Sequence, residues 1–224
     1  MSDAAKPSLR LLAREPLALV SRAWRMFGSL SPRGPLGGQR VMVIPGFLAT
    51  DRTTLGLQRA LGAAGFRVIG WGMGLNKGVR ADTLHKITKR LAEFAGGGKV
   101  VLVGWSLGGL YAREVAKLRP DLVERVVTLG SPFSGDPRAN HAWRLYEAVA
   151  GHKVDAPPIA ADVSAKPAVE TIALWSAGDG IVAPASARGA LDESDRQVEV
   201  KCSHMGFAVS PKAWPAVVRA VRGE

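Results

Sequence analysis

Cysteine is almost missing from this chain: one of its 224 residues, Cys202, is a cysteine. That excludes an intramolecular disulfide and fits a reducing compartment. Acidic residues are also few, 19 against 30 Lys and Arg, which leaves a formal charge of +11. The first reading of that charge is a solvated basic surface, and the second is attraction to anionic lipid or another polyanion. Nucleic acid is not implied, because no Lys/Arg run is interleaved with aromatics and no binding motif occurs. No apolar run reaches membrane-spanning length. The apolar segment Leu17–Val20 is too short for a secretory signal, Arg14 and Glu15 precede it, and no small-residue cleavage site follows. A cytoplasmic protein is the expectation. No P-loop is present, and the glycine-rich stretch Gly70–Gly74 lacks the spacing of a dinucleotide fingerprint. No cofactor and no metal are expected.

What remains is an ordinary globular composition, 47% apolar and 22% charged. At this length it predicts one domain with a sizeable core. Residues 1–8 are expected to lack fixed structure. From Leu9 to Phe27, Leu9, Leu12, Val20, Trp24 and Phe27 share one helical face and Arg10, Arg14, Ser21 and Arg25 another, with Pro16 kinking or restarting the helix. The favoured reading is a helix packed on the body of the protein. The alternative is peripheral contact of residues 9–27 with an anionic membrane. Residues 31–38 read as a linker, so the division is 1–38 and 39–224.

Beyond the linker, short apolar runs alternate with helical periods. Strands are expected at Val41–Ile44, Phe66–Trp71, Val100–Val103, Val126–Leu129, Thr171–Trp175 and Gln197–Val200. Helices are expected from about Asp51, over Asp82–Ala95, after Gly104, around Ala142–Ala150 and from Lys212. That alternation predicts an α/β fold, a mostly parallel sheet of about six strands with helices on both faces. Ligands bind such sheets at the carboxyl ends of the strands. Phe47, Trp71, Ser106, Asp179 and His204 each lie just past a strand.

The most informative stretch is Val100-Val101-Leu102-Val103-Gly104-Trp105-Ser106-Leu107-Gly108-Gly109. An apolar strand runs into Gly-x-Ser-x-Gly, and a helical period (Leu110, Tyr111, Val115, Leu118) follows at once. With 26 glycines in the chain, the pentapeptide alone arises by chance in roughly one such sequence in five. The strand–turn–helix context gives it weight, because a serine at the tip of so sharp a turn needs small residues two positions either side. Of four histidines, His85 falls on an exposed helix face and His141 and His152 in a long connection. His204 alone follows the last strand, where a base for Ser106 belongs. Asp179, flanked by glycines after the fifth strand, is the candidate acid. Asp136 is its competitor, whereas Asp192 and Asp195 precede the last strand. The backbone N–H groups of Leu107 and Phe47 are the candidates for an oxyanion hole. Leu48, Trp71, Phe133, Trp143, Ile181, Val182, Met205 and Phe207 are candidates for an apolar substrate pocket. The connection 131–168 is long enough for a small lid.

With these motifs in order, the chain resembles the α/β-hydrolase superfamily. Val41–Phe47, Gly104–Gly109, Thr128–Pro132, Ser176–Val182 and Val198–Phe207 are similar to the small bacterial lipases and esterases. The resemblance covers about Arg40 to the C-terminus. It implies a carboxylic-ester hydrolase acting on a small-molecule ester or lipid, with Ser106, Asp179 and His204 as triad. It also implies a sheet lacking the first strands of larger members. One departure is Pro45-Gly46, where the family usually has His-Gly. Acyl transfer and thioester or amide cleavage are open on the same residues, and no oligomeric state is implied. Haloalkane dehalogenation in its usual form would need a carboxylate at position 106. A catalytically silent membrane-associated binding protein is the reading from another class.

Overall fold

Six strands form one sheet in the computed structural model, which describes residues 5–16, 33–159 and 162–224. They are β1 (Arg40–Ile44), β2 (Arg67–Gly70), β3 (Val100–Trp105), β4 (Val123–Leu129), β5 (Glu170–Trp175) and β6 (Arg196–Glu199). Their order is β2-β1-β3-β4-β5-β6, and every pair is parallel. Parallel strands covered on both faces read as unbroken apolar runs, because neither side of the pleat meets water. All six residues of β3, at the centre, are buried. Alternate residues then face opposite cores. Val41, Val43, Val101 and Val103 pack with Leu57, Leu61, Val217 and Val221. Met42, Ile44 and Leu102 pack with Ile87, Leu91, Tyr111 and Val115.

The helices follow the predicted periods, and we number them in chain order. They are α1 (Leu9–Leu12), α2 (Leu55–Ala63), α3 (Thr83–Ala95), α4 (Leu107–Leu118) and α5 (Trp143–Ala150), then α6 (Pro184–Arg188), α7 (His204–Val209) and α8 (Trp214–Arg222). The helices α2 and α8 cover one face of the sheet, and α3 and α4 the other. Gly96 ends α3 with a φ of 51°, a left-handed conformation that glycine adopts without strain. Sequence reading did not expect α6 or α7, each under two turns long and too short to show a period. No helix among the described residues is long and apolar enough to cross a membrane.

The N-terminal segment departs from expectation. Residues 5–8 are ordered: Pro7 is buried, and its carbonyl accepts a 2.7 Å hydrogen bond from the His141 Nε2. In place of one continuous helix, α1 stops after Leu12, and a second helical turn opens at Glu15–Pro16. Proline favours such a restart, since the first turn of a helix needs no N–H from it. The expected period at Val20, Ser21, Trp24, Arg25 and Phe27 lies outside the described residues, as do residues 17–27 of the 9–27 stretch that is the alternative membrane-contact face.

Candidate active site

At the end of β3 the chain turns so sharply into α4 that Ser106 has φ 54° and ψ −123°. A non-glycine residue held there stores about 1–3 kcal/mol, and the surroundings must enforce it. A Cβ on Gly104 would lie 2.3 Å from the Gly108 carbonyl oxygen, and one on Gly108 would lie 2.3 Å from the Ile44 oxygen. Both contacts are with backbone, so no side chain can move aside. The Ser106 N–H is tied to the Leu129 carbonyl at 2.9 Å, which fixes the turn to β4.

The residues past β5 and β6 meet beside this turn. Asp179 is fully buried. Its Oδ1 accepts hydrogen bonds from the backbone N–H groups of Ile181 (2.9 Å) and Val182 (2.8 Å). Its Oδ2 lies 2.7 Å from the Nδ1 of His204. An ionised carboxylate can only accept, so Nδ1 carries the proton and Nε2 keeps its lone pair. His204 is the first residue of α7 and 2% exposed. The Trp105 ring stands 5.6 Å from the imidazole, and its indole N–H donates to the His204 carbonyl at 3.1 Å. Gly130 lies against the pair: a Cβ there would fall 2.9 Å from the Asp179 Oδ2 and 3.2 Å from the His204 Nδ1.

Burial alone would push the imidazole toward its neutral form. The Asp179 charge and hydrogen bond, together with the charge of Glu15, outweigh it and raise the pKa above the ordinary 6.5. The Ser106 hydroxyl makes no hydrogen bond to His204 in this geometry.

The loop after β1 flanks Ser106. A Cβ on Gly46 would come within 3.1 Å of the Ser106 Cβ. Asn76 straps this loop: its side-chain amide donates to the Pro45 carbonyl (2.9 Å), its carbonyl accepts from the Leu48 N–H (2.7 Å), and its N–H donates to Ala49 (2.9 Å). The Tyr111 hydroxyl donates to the Asn76 Oδ1 at 3.3 Å. Within the loop the Phe47 N–H donates to no group among the described residues, and the Leu107 N–H, first in α4, has no carbonyl a turn behind it. These are the two N–H groups the sequence singles out.

A cavity of about 340 Å³ opens beside Ser106. Its wall includes Phe47, Leu107, Tyr111, Phe133, Trp143, Tyr146, Ile181 and Val182. Four predicted pocket residues are not part of it. Leu48 points to solvent at 41% exposure. Trp71 is held in the core, its indole N–H donating to the Gly74 carbonyl at 3.0 Å. Met205 and Phe207 lie on α7, which turns them into the core on the opposite face of the sheet.

The competing groups are placed elsewhere. Asp136 is exposed and caps the Arg138 N–H, Asp192 is exposed, and Asp195 pairs with Lys166. His85 is exposed, while His152 lies beside Tyr146 and the Val79 carbonyl. Sequence reasoning missed Asn76 and Glu15. Both act on backbone groups, and no spacing announces that.

Residues 39–156 match the profile of the alpha/beta hydrolase fold. The chain belongs to that family. Over 74 residues the chain is 40% identical to the pimeloyl-[acyl-carrier protein] methyl ester esterase of Citrobacter koseri, a match covering 32% of this chain and 27% of that protein. Over 61 residues it is 39% identical to a triacylglycerol lipase of Burkholderia plantarii, covering 27% and 17% respectively. The matched stretches thus span well under two thirds of these relatives. Among solved structures, carboxylesterase CesB of Bacillus subtilis superimposes with a TM-score of 0.61 at 16% identity, covering 96% of this chain and 98% of that one. At that identity the likeness is one of fold.

Proposed function

We propose that this protein is a serine hydrolase that cleaves carboxylic esters through an acyl-enzyme, with Ser106, His204 and Asp179 as its triad. The observation that carries this reading is the buried Asp179–His204 pair, 2.7 Å apart, beside a strained serine that opens onto an apolar cavity. The Ser106 hydroxyl attacks the ester carbonyl while the His204 Nε2 takes its proton. Negative charge then develops on the carbonyl oxygen, where the N–H groups of Phe47 and Leu107 receive it. Collapse breaks the ester bond, and the imidazolium returns its proton to the leaving alcohol. Water, deprotonated by His204, attacks the acyl-enzyme and releases the acid. Asp179 holds the tautomer and stabilises the imidazolium.

The cavity is near the lower end of the range for small-molecule sites, about 300–1,000 Å³, which favours a single short or medium acyl chain. The test is turnover of a series of p-nitrophenyl esters by the wild type and Ser106→Ala, alongside labelling by a fluorophosphonate. The substitution is expected to lower kcat by roughly 10³-fold or more and to abolish labelling. A variant that retains most of its activity would rule out Ser106 as the nucleophile. A matched thioester in the same panel separates ester from thioester preference.

A further inference from the structure

Glu15 lies outside the matched residues 39–156, yet its carboxylate is at the heart of the site. It is 4% exposed. Its Oε1 accepts hydrogen bonds from the backbone N–H groups of Gly180 (2.9 Å) and His204 (2.8 Å), and its Oε2 from that of Met205 (2.8 Å). Gly180 follows Asp179, and His204 and Met205 open α7. One side chain thus joins the loop carrying the carboxylate to the loop carrying the imidazole. The α1 backbone is fitted to the same place: a Cβ on Gly180 would meet the Leu11 carbonyl oxygen at 2.4 Å.

The charge is what needs explaining. Glu15 forms no salt bridge among the described residues. Removing a carboxylate from water is costly unless hydrogen bonds to its charged form repay it. Three N–H donors do so here, but an apolar side chain could have anchored the segment without that cost. Among the described residues, the charged groups that act on His204 are Asp179 from the loop after β5 and Glu15 from the N-terminal segment, and Cys202 lies two residues before it at the exit of β6. Burial, with the nearby Asp179 and Glu15 charges, pushes the Cys202 thiol up to about 12, so it is neutral. From the side of β3 the neutral Trp105 ring covers the imidazole. Among the described residues, Asp179 and Glu15 are therefore the charges that act on it.

We propose that Glu15 is a positioning residue for hydrolysis: it locks the Asp179 and His204 loops in register and sets a second negative charge behind the imidazole. The inference rests on the Ser106–His204–Asp179 reading and makes the N-terminal segment part of the catalytic apparatus. When the imidazole becomes cationic in the transition state, Glu15 stabilises it without touching substrate.

The test compares wild type, Glu15→Gln, Glu15→Ala and Ser106→Ala. Glu15→Gln keeps the shape and removes the charge; its amide nitrogen can no longer accept from one of the three N–H groups. Rates with a short p-nitrophenyl ester are normalised to the sites titrated by a fluorophosphonate, so misfolded protein does not count. The expected result is a loss in kcat of roughly tenfold for Gln and 100-fold for Ala, with KM changed less than about twofold. In both variants the acid limb of kcat/KM and the NMR titration of the His204 ring protons move to lower pH. A purely structural Glu15 would lower the melting temperature while leaving kcat per titrated site and the acid limb at their wild-type values, and that result overturns the proposal. If Glu15→Ala does not fold, the near-isosteric Gln variant decides. A wild type that neither turns over ester nor labels at Ser106 defeats the hydrolase reading itself, which is visible before any Glu15 variant is assayed.

Discussion

Ser106 occupies backbone angles that a serine adopts only under compulsion, and the compulsion comes from three neighbouring peptide groups. Gly108→Ala would set a Cβ 2.3 Å from the Ile44 oxygen, in the middle of β1's hydrogen-bonded end. Relief requires the strand or the turn to move. The expected cost is about 3 kcal/mol or more, read as a lowered urea midpoint, together with loss of activity. At Asp179 the substitution to Asn keeps the volume, but the amide can present an N–H to Nδ1 and so favour the wrong tautomer. Asp179→Asn is expected to lower kcat by about 10⁴-fold with little change in melting temperature.

The imidazole sets the pH dependence in two ways. On the proposed mechanism His204 must be neutral to act as base, and its pKa is raised above 6.5, so the acid limb of kcat/KM is expected above pH 6.5. For stability the sign is opposite. A raised folded-state pKa contributes stability that is fully present below the unfolded value of 6.5 and is lost as pH rises through the folded value. The melting-temperature difference between wild type and His204→Gln is therefore expected to be larger on the acid side of 6.5 and to narrow on the alkaline side.

At the scale of elements, two loops and one helix define the space around the serine. The loop 45–49 depends on Asn76, which bonds to Pro45, Leu48 and Ala49. Asn76→Ala would remove one of those bonds and the Tyr111 contact, letting the Phe47 N–H drift from where charge develops. A loss of about 10- to 100-fold in kcat is expected, with KM nearly constant, from steady-state rates. Over the cavity, α5 places Tyr146 5.2 Å from Phe47, its hydroxyl accepting from the Val79 N–H. Tyr146→Ala enlarges the cavity, and the ester series is expected to shift toward longer acyl chains. An unchanged profile would place the acyl group elsewhere.

The strands, the turn at Ser106 and the period of α3 and α4 were legible because local residues decide them: an apolar run, two glycines, a repeat of three and four. That Asp179 and His204 would be brought to one end of the sheet was legible by position, each just past a strand. The pocket was only half legible. Whether Met205 faces the cavity or the far core depends on α7, a six-residue helix whose start is fixed by bonds to Glu15 and Ser203. Leu48 was misjudged for a similar reason: Asn76 holds its N–H in a turn with φ 54°, which sends the side chain outward. Sequence patterns record side-chain identity, and these outcomes turn on peptide groups, which every residue carries alike.

At the scale of the whole molecule, Arg113 joins parts distant in the chain. Fully buried in α4, it donates to the carbonyls of Val163, Ser164, Ala165 and Glu193, and its guanidinium lies 4.2 Å from the centre of the Phe133 ring. Through it the long connection is fastened both to the central helix and to the approach to β6. Arg113→Met keeps much of the bulk and leaves those carbonyls without their donor. It is expected to lower the unfolding free energy by about 3–5 kcal/mol in urea titration.

The two margins of the sheet are finished differently. Beside β2, Arg33 forms a single antiparallel bridge with Val68, its N–H and carbonyl both taken up by that residue. Across the molecule, β6 is four residues long and carries Arg196 and Glu199. Open strand borders are templates on which a second polypeptide can add itself, and brevity, charge and occupied peptide groups are what discourage such growth. A concentrated solution of this protein is thereby guarded against fibre formation at both borders, by one residue of the segment before the sheet and by the shortness of its last strand.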